Sequence, residues 1–243
     1  GTGSMLITVG DGSIVETTGA DTHVWTLDGA SAGVGTLTVT NTGTFSDEIG
    51  ETASLATINV ATTKTGTFSE EVAATTINSV GTTVFKKAVT ATSIVLDGTS
   101  SITNTAAVTI AGNFTESAAN DTTKIVVKET ADEAGAQALF TGNITVDDIE
   151  VGEADEKAGI AKFTGTVIAD VLVTGGDDGE LAHAEFTGNL TGATVLAEAG
   201  DGTATFKTSG SSANTITGAI TTTNSKGALI VANTAGTTFT AGI

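Results

Sequence analysis

The segment Phe140-Thr141-Gly142-Asn143-Ile144 is followed by close copies of itself at a fixed interval. The copies are Phe163-Thr164-Gly165-Thr166-Val167 and Phe186-Thr187-Gly188-Asn189-Leu190, so the three phenylalanines are evenly spaced. Upstream, Gly43-Thr44-Phe45-Ser46-Asp47-Glu48 recurs at the same interval as Gly66-Thr67-Phe68-Ser69-Glu70-Glu71. A period near 23 residues is typical of proteins built from stacked structural repeats, although Phe114 precedes Phe140 by 26 residues and Phe206 follows Phe186 by 20.

A period of this length has a direct physical meaning. Three strands of four or five residues and three turns need about that many residues for one coil. Each coil hydrogen-bonds to the next at about 4.8 Å, and only the stack buries the apolar face of a coil. The period therefore predicts an all-β, right-handed parallel β-helix with coils of about 23 residues and an internal ladder of phenylalanine rings.

The sequence leaves one alternative architecture open, a β-sandwich made of short strands at regular spacing. The absence of proline favours the β-helix, because each interior strand must donate its backbone N–H groups to a neighbour. The longer intervals from Phe85 to Phe114 and from Phe206 to Phe239 are consistent with insertions between coils. Period-two alternation predicts strands at Leu37–Thr40, Ala107–Ala111, Lys124–Val127, Val167–Ala169, Val171–Val173 and Ala228–Val231.

Helix signals are poor, and domain boundaries are not marked. Glu129–Leu139 has the best helical composition, but Gly135 limits it to one or two turns. Residues 1–4, before Met5, resemble a cloning remnant and are left out of the fold. We expect residues 5–42 to be a cap or the first coils, residues 43–243 to be solenoid repeats, and the chain to be a fragment of a larger protein. It has no run of eighteen apolar residues, which predicts no membrane span.

The composition excludes several classes of function. The chain has no Cys, Pro, Tyr or Arg, and its net charge is −19 with a pI near 4.1. The missing cysteines exclude a disulfide framework and Cys-ligated metals. A surface this acidic repels phosphates, so we expect no nucleic-acid partner. The charge itself has two interpretations, either solubility through self-repulsion or the binding of divalent cations.

Clusters of acidic residues are the candidate metal sites. Carboxylates close together on flexible segments suit Ca²⁺, which takes several oxygen ligands. Gly175–Leu181 partly resembles the glycine-rich calcium nonapeptide of repeat toxins and adhesins, but it departs from that motif at Asp178 and Glu180 and occurs once. The alternative interpretation is solvated turns at the corners of the coils. The candidate Ca²⁺ ligands are Asp147, Asp148, Glu150, Asp177, Asp178 and Glu180, and further acidic clusters occur at Glu153–Glu156 and at Asp201.

Nothing in the sequence indicates an enzyme. The two histidines, His23 and His183, lie far apart in the sequence, and neither belongs to a nucleophile motif. His183 lies between two alanines, which predicts an exposed strand position. Polysaccharide-cleaving β-helices combine carboxylates with basic or aromatic residues, whereas this chain has no Arg, no Tyr and one Trp. We therefore expect a protein without catalytic residues.

The repeated Phe-Thr-Gly motif and the repeated Gly-Thr-Phe-Ser-(Asp/Glu)-Glu motif make the chain similar to bacterial surface-layer and β-strand-repeat surface proteins. The resemblance covers residues 43–218 and includes the acidic, Thr-, Ala- and Gly-rich composition. It implies an extracellular, cell-surface location and self-assembly into a coat, often supported by calcium. The partner would be the protein itself, as an oligomer or lattice, or a cell surface. The alternative is a stalk or binding segment of a secreted adhesin or phage fibre.

Overall fold

A computed structural model describes residues 5–104, 107–117, 123–129, 137–152, 159–176, 181–198, 202–223 and 227–243. In these ranges every regular element is a β-strand, and no helix long and apolar enough to cross a membrane occurs among them. The chain divides into two compact units. Unit 1 comprises Gly1–Ser101 and Ile110–Thr123, and unit 2 comprises Ile102–Thr109 and Lys124–Ile243.

Unit 1 is built from short strands that recur in a fixed order. They are β1 (Met5–Val9), β2 (Ile14–Thr17), β3 (Thr22–His23), β4 (Trp25–Gly29), β5 (Thr36–Val39), β6 (Gly43–Phe45), β7 (Leu55–Val60), β8 (Thr65–Phe68), β9 (Val72–Ser79), β10 (Thr82–Phe85) and β11 (Val89–Leu96). Two further strands, β12 (Thr99–Asn104) and β13 (Val108–Glu116), contain residues of both units.

Unit 2 repeats the same kind of strand. Its strands are β14 (Lys124–Glu129), β15 (Ala138–Phe140), β16 (Ile144–Val151), β17 (Ile160–Phe163), β18 (Val167–Gly175), β19 (Leu181–Phe186), β20 (Leu190–Thr191), β21 (Thr194–Glu198), β22 (Thr203–Thr208), β23 (Asn214–Thr217), β24 (Ile220–Thr222), β25 (Ala228–Val231) and β26 (Thr237–Phe239).

The core of unit 1 consists of three columns of side chains, one for each strand of the coil. Each residue lies opposite its counterpart in the next coil through a parallel ladder. The columns are Ile7, Leu27, Ile49, Val72, Val89 and Ile110; Val15, Leu37, Ile58, Ile77, Ile94 and Phe114; and His23, Phe45, Phe68 and Phe85.

Unit 2 has the same three-column plan. The columns are Phe140, Phe163 and Phe186; Ile144, Val167, Leu190, Ile216 and Phe239; and Ile125, Ile149, Val171, Thr194 and Ile220. Interior members of these columns are almost completely buried. The predicted parallel β-helix is confirmed in place of the sandwich, with coils of about 22 residues on average, close to the predicted length. The right-handed sense of the coil stays a prediction.

The predicted phenylalanine ladder is confirmed in each unit. The rings of Phe45 and Phe68 stack with centroids 4.9 Å apart, and Phe85 follows at 5.7 Å. In unit 2, Phe163 stacks between Phe140 at 4.9 Å and Phe186 at 5.0 Å. Stacked rings at this separation add to the free energy of burial.

Two phenylalanines do not lie in the phenylalanine columns that the repeat predicted for them. Phe114 lies opposite Ile94, and Phe239 lies opposite Ile216, so both belong to aliphatic columns. The long intervals before them therefore reflect a change of column. Of the proposed helical stretch Glu129–Leu139, Glu129 and the last two residues lie in strands. Residues 130–136 of that stretch lie outside the described ranges.

Candidate functional site

The structure places half of the candidate metal ligands on one strand. Asp147, Asp148 and Glu150 lie on β16, where the ladder to β18 shifts its register between Thr145 and Asp148. The other three, Asp177, Asp178 and Glu180, lie outside the described residues, as do the clusters at 153–156 and 201. Among the residues that are described, no three His, Asp or Glu side chains come together as a metal site. The calcium site stays a prediction.

Asp148 has both an attractive and a repulsive neighbour on the adjoining strands. Its Cα lies opposite Lys124 on β14 and opposite Asp170 on β18. Partial burial raises the pKa of Asp148 above its usual value, Lys124 acts against that rise, and Asp170 adds to it. Glu150 accepts a hydrogen bond from Lys124 Nζ at 2.6 Å. A cation at this place would compete with Lys124 for these carboxylates.

A buried carboxylate on the outer side of β19 is a feature that the sequence reasoning missed. Glu185 lies between two lysines in register, Lys162 on β17 and Lys207 on β22. The lysine Nζ atoms lie 2.7 Å and 2.8 Å from the two carboxylate oxygens, and Ser209 also donates to one of them. The side chain of Glu185 is 7 % exposed. We call Lys162, Glu185, Lys207 and Ser209 the Glu185 clamp.

The Glu185 clamp explains the charge state of its central residue. Burial by itself raises the pKa of Glu185, but the hydrogen bonds from Lys162, Lys207 and Ser209 together outweigh it and hold the pKa at about 2. The carboxylate is therefore ionised at neutral pH and fully engaged, which suits a structural role. The signal for it was present in the sequence, since the three charged residues follow one another at nearly the coil period.

His183 is half-buried beside this clamp, and its predicted exposed position is wrong in that respect. Its Nε2 atom lies 3.6 Å from a Glu185 carboxylate oxygen. Burial lowers the pKa of His183, and Glu185 acts against this shift. Glu185 already accepts hydrogen bonds from two lysines, so His183 lies next to the clamp and is not one of its members.

On one outer face of unit 1, six neighbouring side chains are polar and uncharged. Strands β5, β7 and β9 form this face. Each contains three consecutive residues, polar, aliphatic and polar, that lie opposite the equivalent three residues of the neighbouring strand. Leu37, Ile58 and Ile77 are the buried members. The outward residues, which we call the hydroxyl–amide face, are Thr36, Thr38, Thr57, Asn59, Thr76 and Asn78.

The hydroxyl–amide face is ordered by its own contacts. Asn78 Nδ2 donates to Asn59 Oδ1 at 2.8 Å across the ladder. The six side chains are half-buried, because neighbours about 4.8 Å away along the stack cover one another. These strands follow one another at a shorter interval than the phenylalanine motifs do, which is why the period found in the sequence did not reveal the face.

The repeated Phe-Thr-Gly turns of unit 2 line a shallow polar groove of about 620 Å³. Thr164 Oγ1 donates to the backbone oxygen of Phe140 at 3.1 Å. The side-chain oxygens of Asn143 and Asn189 each accept a backbone N–H of the following coil, at 2.9 Å. The groove is lined by Asn143, Thr164, Gly165, Thr166, Thr187, Gly188, Asn189, Gly210, Ser211, Ser212 and Ala213, and this lining contains no aromatic or charged side chain.

Comparison with protein-family models, with curated proteins and with solved structures gave no match to this chain.

Proposed function

We propose that the protein is a structural component of an extracellular surface assembly, a self-associating coat of the surface-layer kind, and that it is not an enzyme. The hydroxyl–amide face of unit 1 is the observation that carries this proposal. The chain has a net charge of −19, so most surfaces of two copies repel each other. A face with six uncharged hydrogen-bonding side chains is a surface on which two copies can meet without that repulsion.

The engagement of charged groups inside the fold supports a structural role. The Glu185 clamp uses one carboxylate and two of the nine lysines of the chain. A group that is held by two partners is poorly placed to bind or transfer a proton to a substrate. These residues therefore stabilise the stack of coils.

Calcium is the cofactor that we propose for the assembly. Acidic side chains that face one another across a contact between copies would repel, and a divalent cation relieves this by binding carboxylates from both. Asp147, Asp148 and Glu150 are the described candidates, with Asp177, Asp178 and Glu180 as further ones from the sequence. Calcium would then strengthen assembly and raise the melting temperature by mass action.

The test is assembly of the whole chain, followed by light scattering and electron microscopy with millimolar Ca²⁺ and with a chelator. Thr57→Glu places a charge in the middle of the hydroxyl–amide face and should abolish sheet formation. Thr191→Glu, at an exposed position in unit 2, makes the same change in net charge and should leave sheets intact. Sheets formed equally by both variants would show that this face is not the contact.

A second candidate function, a binding segment of an adhesin or fibre, is favoured by the groove along the Phe-Thr-Gly turns. Its hydroxyl, amide and backbone groups can hydrogen-bond to a sugar, although the lining offers no aromatic platform. A glycan array with the whole chain tests this function. Ser212→Trp, which fills the groove, should remove any signal that comes from this site.

A further inference from the structure

Strands β6, β8 and β10 form a second outer face of unit 1, on different strands from the hydroxyl–amide face. Their phenylalanines are buried in the core, so the residues one and three positions before each phenylalanine point outward. Five of these six outward positions are threonine, and the sixth is Val84. The threonines, which we call the threonine face, are Thr42, Thr44, Thr65, Thr67 and Thr82.

The threonine face has a regular spacing in two directions. Thr44 lies opposite Thr67, and Thr65 lies opposite Thr82, so the threonines form two columns along the stack. Within one coil the two columns are two residues apart, which is about 6.6 Å. Between coils the spacing follows the ring ladder beneath, where the first two phenylalanine rings have centroids 4.9 Å apart. The hydroxyls therefore repeat on a two-dimensional grid.

Most hydroxyls of the threonine face are available to water. In unit 2, by contrast, Thr164 and Thr187 each donate to a backbone oxygen of the neighbouring coil. On the threonine face only the hydroxyl of Thr42 is engaged, because its Oγ1 accepts the backbone N–H of Thr65 at 3.2 Å. The other four hydroxyls have no hydrogen-bond partner among the described residues, yet they are open to solvent, unlike the buried Oγ1 of Thr194. They can therefore both donate to water and accept from it.

The chemistry of the threonine face favours a periodic, uncharged ligand. None of its side chains is charged, although the chain contains 28 acidic residues. The phenylalanines of its strands are buried, so they offer no ring on which a sugar could stack. A single sugar or a peptide would not require equal spacing of the hydroxyls, whereas the surface of a crystal does. Ice is such a crystal, since its water molecules repeat at similar spacings and each can donate and accept hydrogen bonds.

The core beneath the threonine face holds it in one arrangement. Phe68 stacks between Phe45 and Phe85, and all three rings are almost completely buried. A Cβ atom at Gly66 would lie 3.2 Å from the side chain of Val60 and 3.4 Å from the ring of Phe68, so the space directly under the face is filled. A surface that is already ordered loses little conformational entropy when it binds a ligand.

We propose that the threonine face binds the surface of ice crystals. Its hydroxyls hold water molecules between the two columns at hydrogen-bonding distance, and the threonine methyl groups border these waters. Water held on this grid can join the lattice of a growing crystal, which then carries the protein on its surface. This activity goes beyond the proposed coat and does not depend on it, because its strands differ from those of the hydroxyl–amide face.

The test grows an ice crystal slowly from a dilute solution of the whole chain and compares the protein concentration in the melted crystal with that in the remaining liquid. Growing ice rejects ordinary solutes, so retention of the unmodified chain is the expected result. Thr44→Lys with Thr67→Lys places two charges in the middle of the threonine face and should abolish retention. The matched control, Thr57→Lys with Thr76→Lys, changes two opposed threonines of the hydroxyl–amide face and should be retained.

A second variant tests for a gain of retention, so the result does not depend on a substitution that could disturb folding. Val84 lies opposite Thr67, at the one outward position of the grid that lacks a hydroxyl. Val84→Thr completes the third pair of threonines and should increase retention in ice. The control is Val95→Thr, the same change at a half-buried valine opposite Asn78, which should leave retention unchanged. Circular dichroism and urea unfolding will show that each variant is folded.

The outcomes are distinct for the threonine face and for the coat. An unmodified chain that growing ice rejects, or equal retention of Thr44→Lys with Thr67→Lys, would overturn the inference. Binding to insoluble cellulose or chitin without retention in ice would also overturn it and would assign the face to a polysaccharide. Sheets without retention in ice leave the coat standing, and retention in ice without sheets leaves the threonine face standing.

Discussion

The ring of Phe206 stacks on the ring of Phe186, although the backbone of Phe206 lies opposite Ala184. The two ring centroids are 5.1 Å apart and the ring planes differ by 22°, whereas the residue in register with Phe186 is Thr208. Ala184 and Phe206 are both completely buried. The small side chain of Ala184 leaves the space that the ring of Phe206 fills as it reaches towards its neighbour.

This relationship predicts that Ala184→Leu will destabilise the protein by about 1–3 kcal/mol, because extra volume in a filled core forces its neighbours out of place. In a Phe206→Ala background the same change should cost less, since the deleted ring leaves room for the leucine. Urea unfolding of the four proteins in a double-mutant cycle measures the coupling. Strictly additive free energies of unfolding would contradict the proposed contact.

The Glu185 clamp predicts a defined dependence of stability on pH. The pKa of Glu185 is lowered from 4.5 to about 2 in the folded state. The stabilisation is therefore fully present above pH 4.5 and is lost as the pH falls through 2. Glu185→Gln should cost about 2 kcal/mol at neutral pH, because hydrogen bonds to charged groups are lost.

The measurement for the Glu185 clamp is the free energy of unfolding of both proteins between pH 2 and 7. The difference between them should shrink as the pH falls below 4. Glu16→Gln, which removes an exposed carboxylate on β2, is the control, and at pH 7 it should change the free energy of unfolding by less than about 0.5 kcal/mol. A difference that grows towards low pH would contradict the clamp.

Replacing Thr194 by valine should stabilise the protein. Thr194 lies in a core column between Val171 and Ile220, is completely buried, and its Oγ1 has no hydrogen-bond partner among the described residues. Thr194→Val keeps the shape and removes an unsatisfied hydroxyl, so we expect a gain of about 1 kcal/mol in thermal or urea unfolding. Thr191→Val, at an exposed position, should change stability by less than about 0.5 kcal/mol. A loss of stability in Thr194→Val would mean that the hydroxyl has a partner.

Replacing Gly188, in the turn that follows Phe186, by alanine should strongly destabilise the protein. A Cβ atom there would lie 2.1 Å from the backbone oxygen of Gly165, and one at Gly165 would lie 2.2 Å from that of Gly142. Stacked turns therefore approach so closely that only glycine fits. Gly188→Ala should cost more than about 2 kcal/mol, since backbone atoms must shift. Gly10→Ala, whose Cβ would be 3.6 Å from Ser13 Oγ, is the control and should be nearly neutral.

The phenylalanine ladder could be predicted from the sequence because its members recur at one spacing. Phe140, Phe163 and Phe186 keep one spacing, and each coil must place its ring above the last. Phe114 and Phe239 could not be placed in this way. A phenylalanine fits an aliphatic column as well as an aromatic one, and only the ladder shows which column it joins.

The candidate sites were harder to predict, because they depend on register between coils of unequal length. Thr57 and Thr76 are directly opposite although they are closer in sequence than two successive phenylalanine motifs, so a search for the motif period misses them. The pairing of Glu185 with Lys162 and Lys207 was missed, because the two lysines lie in other coils and only the ladder brings the three residues together. Acidic clusters such as Asp147 and Asp148 are easy to find in the sequence. Acidic residues that are adjacent in the sequence, however, do not necessarily bring their carboxylates together to form a metal site.

The parallel ladders also determine how the protein responds to force. Hydrogen bonds between coils run along the stack of each unit, so tension along that stack loads one coil at a time, and each coil can peel away before the next is strained. Phe163 and Phe186 lie opposite each other and mark the length of one coil. A coil of about 23 residues extends to about 80 Å when pulled straight. Each unit would therefore lengthen in discrete increments under load.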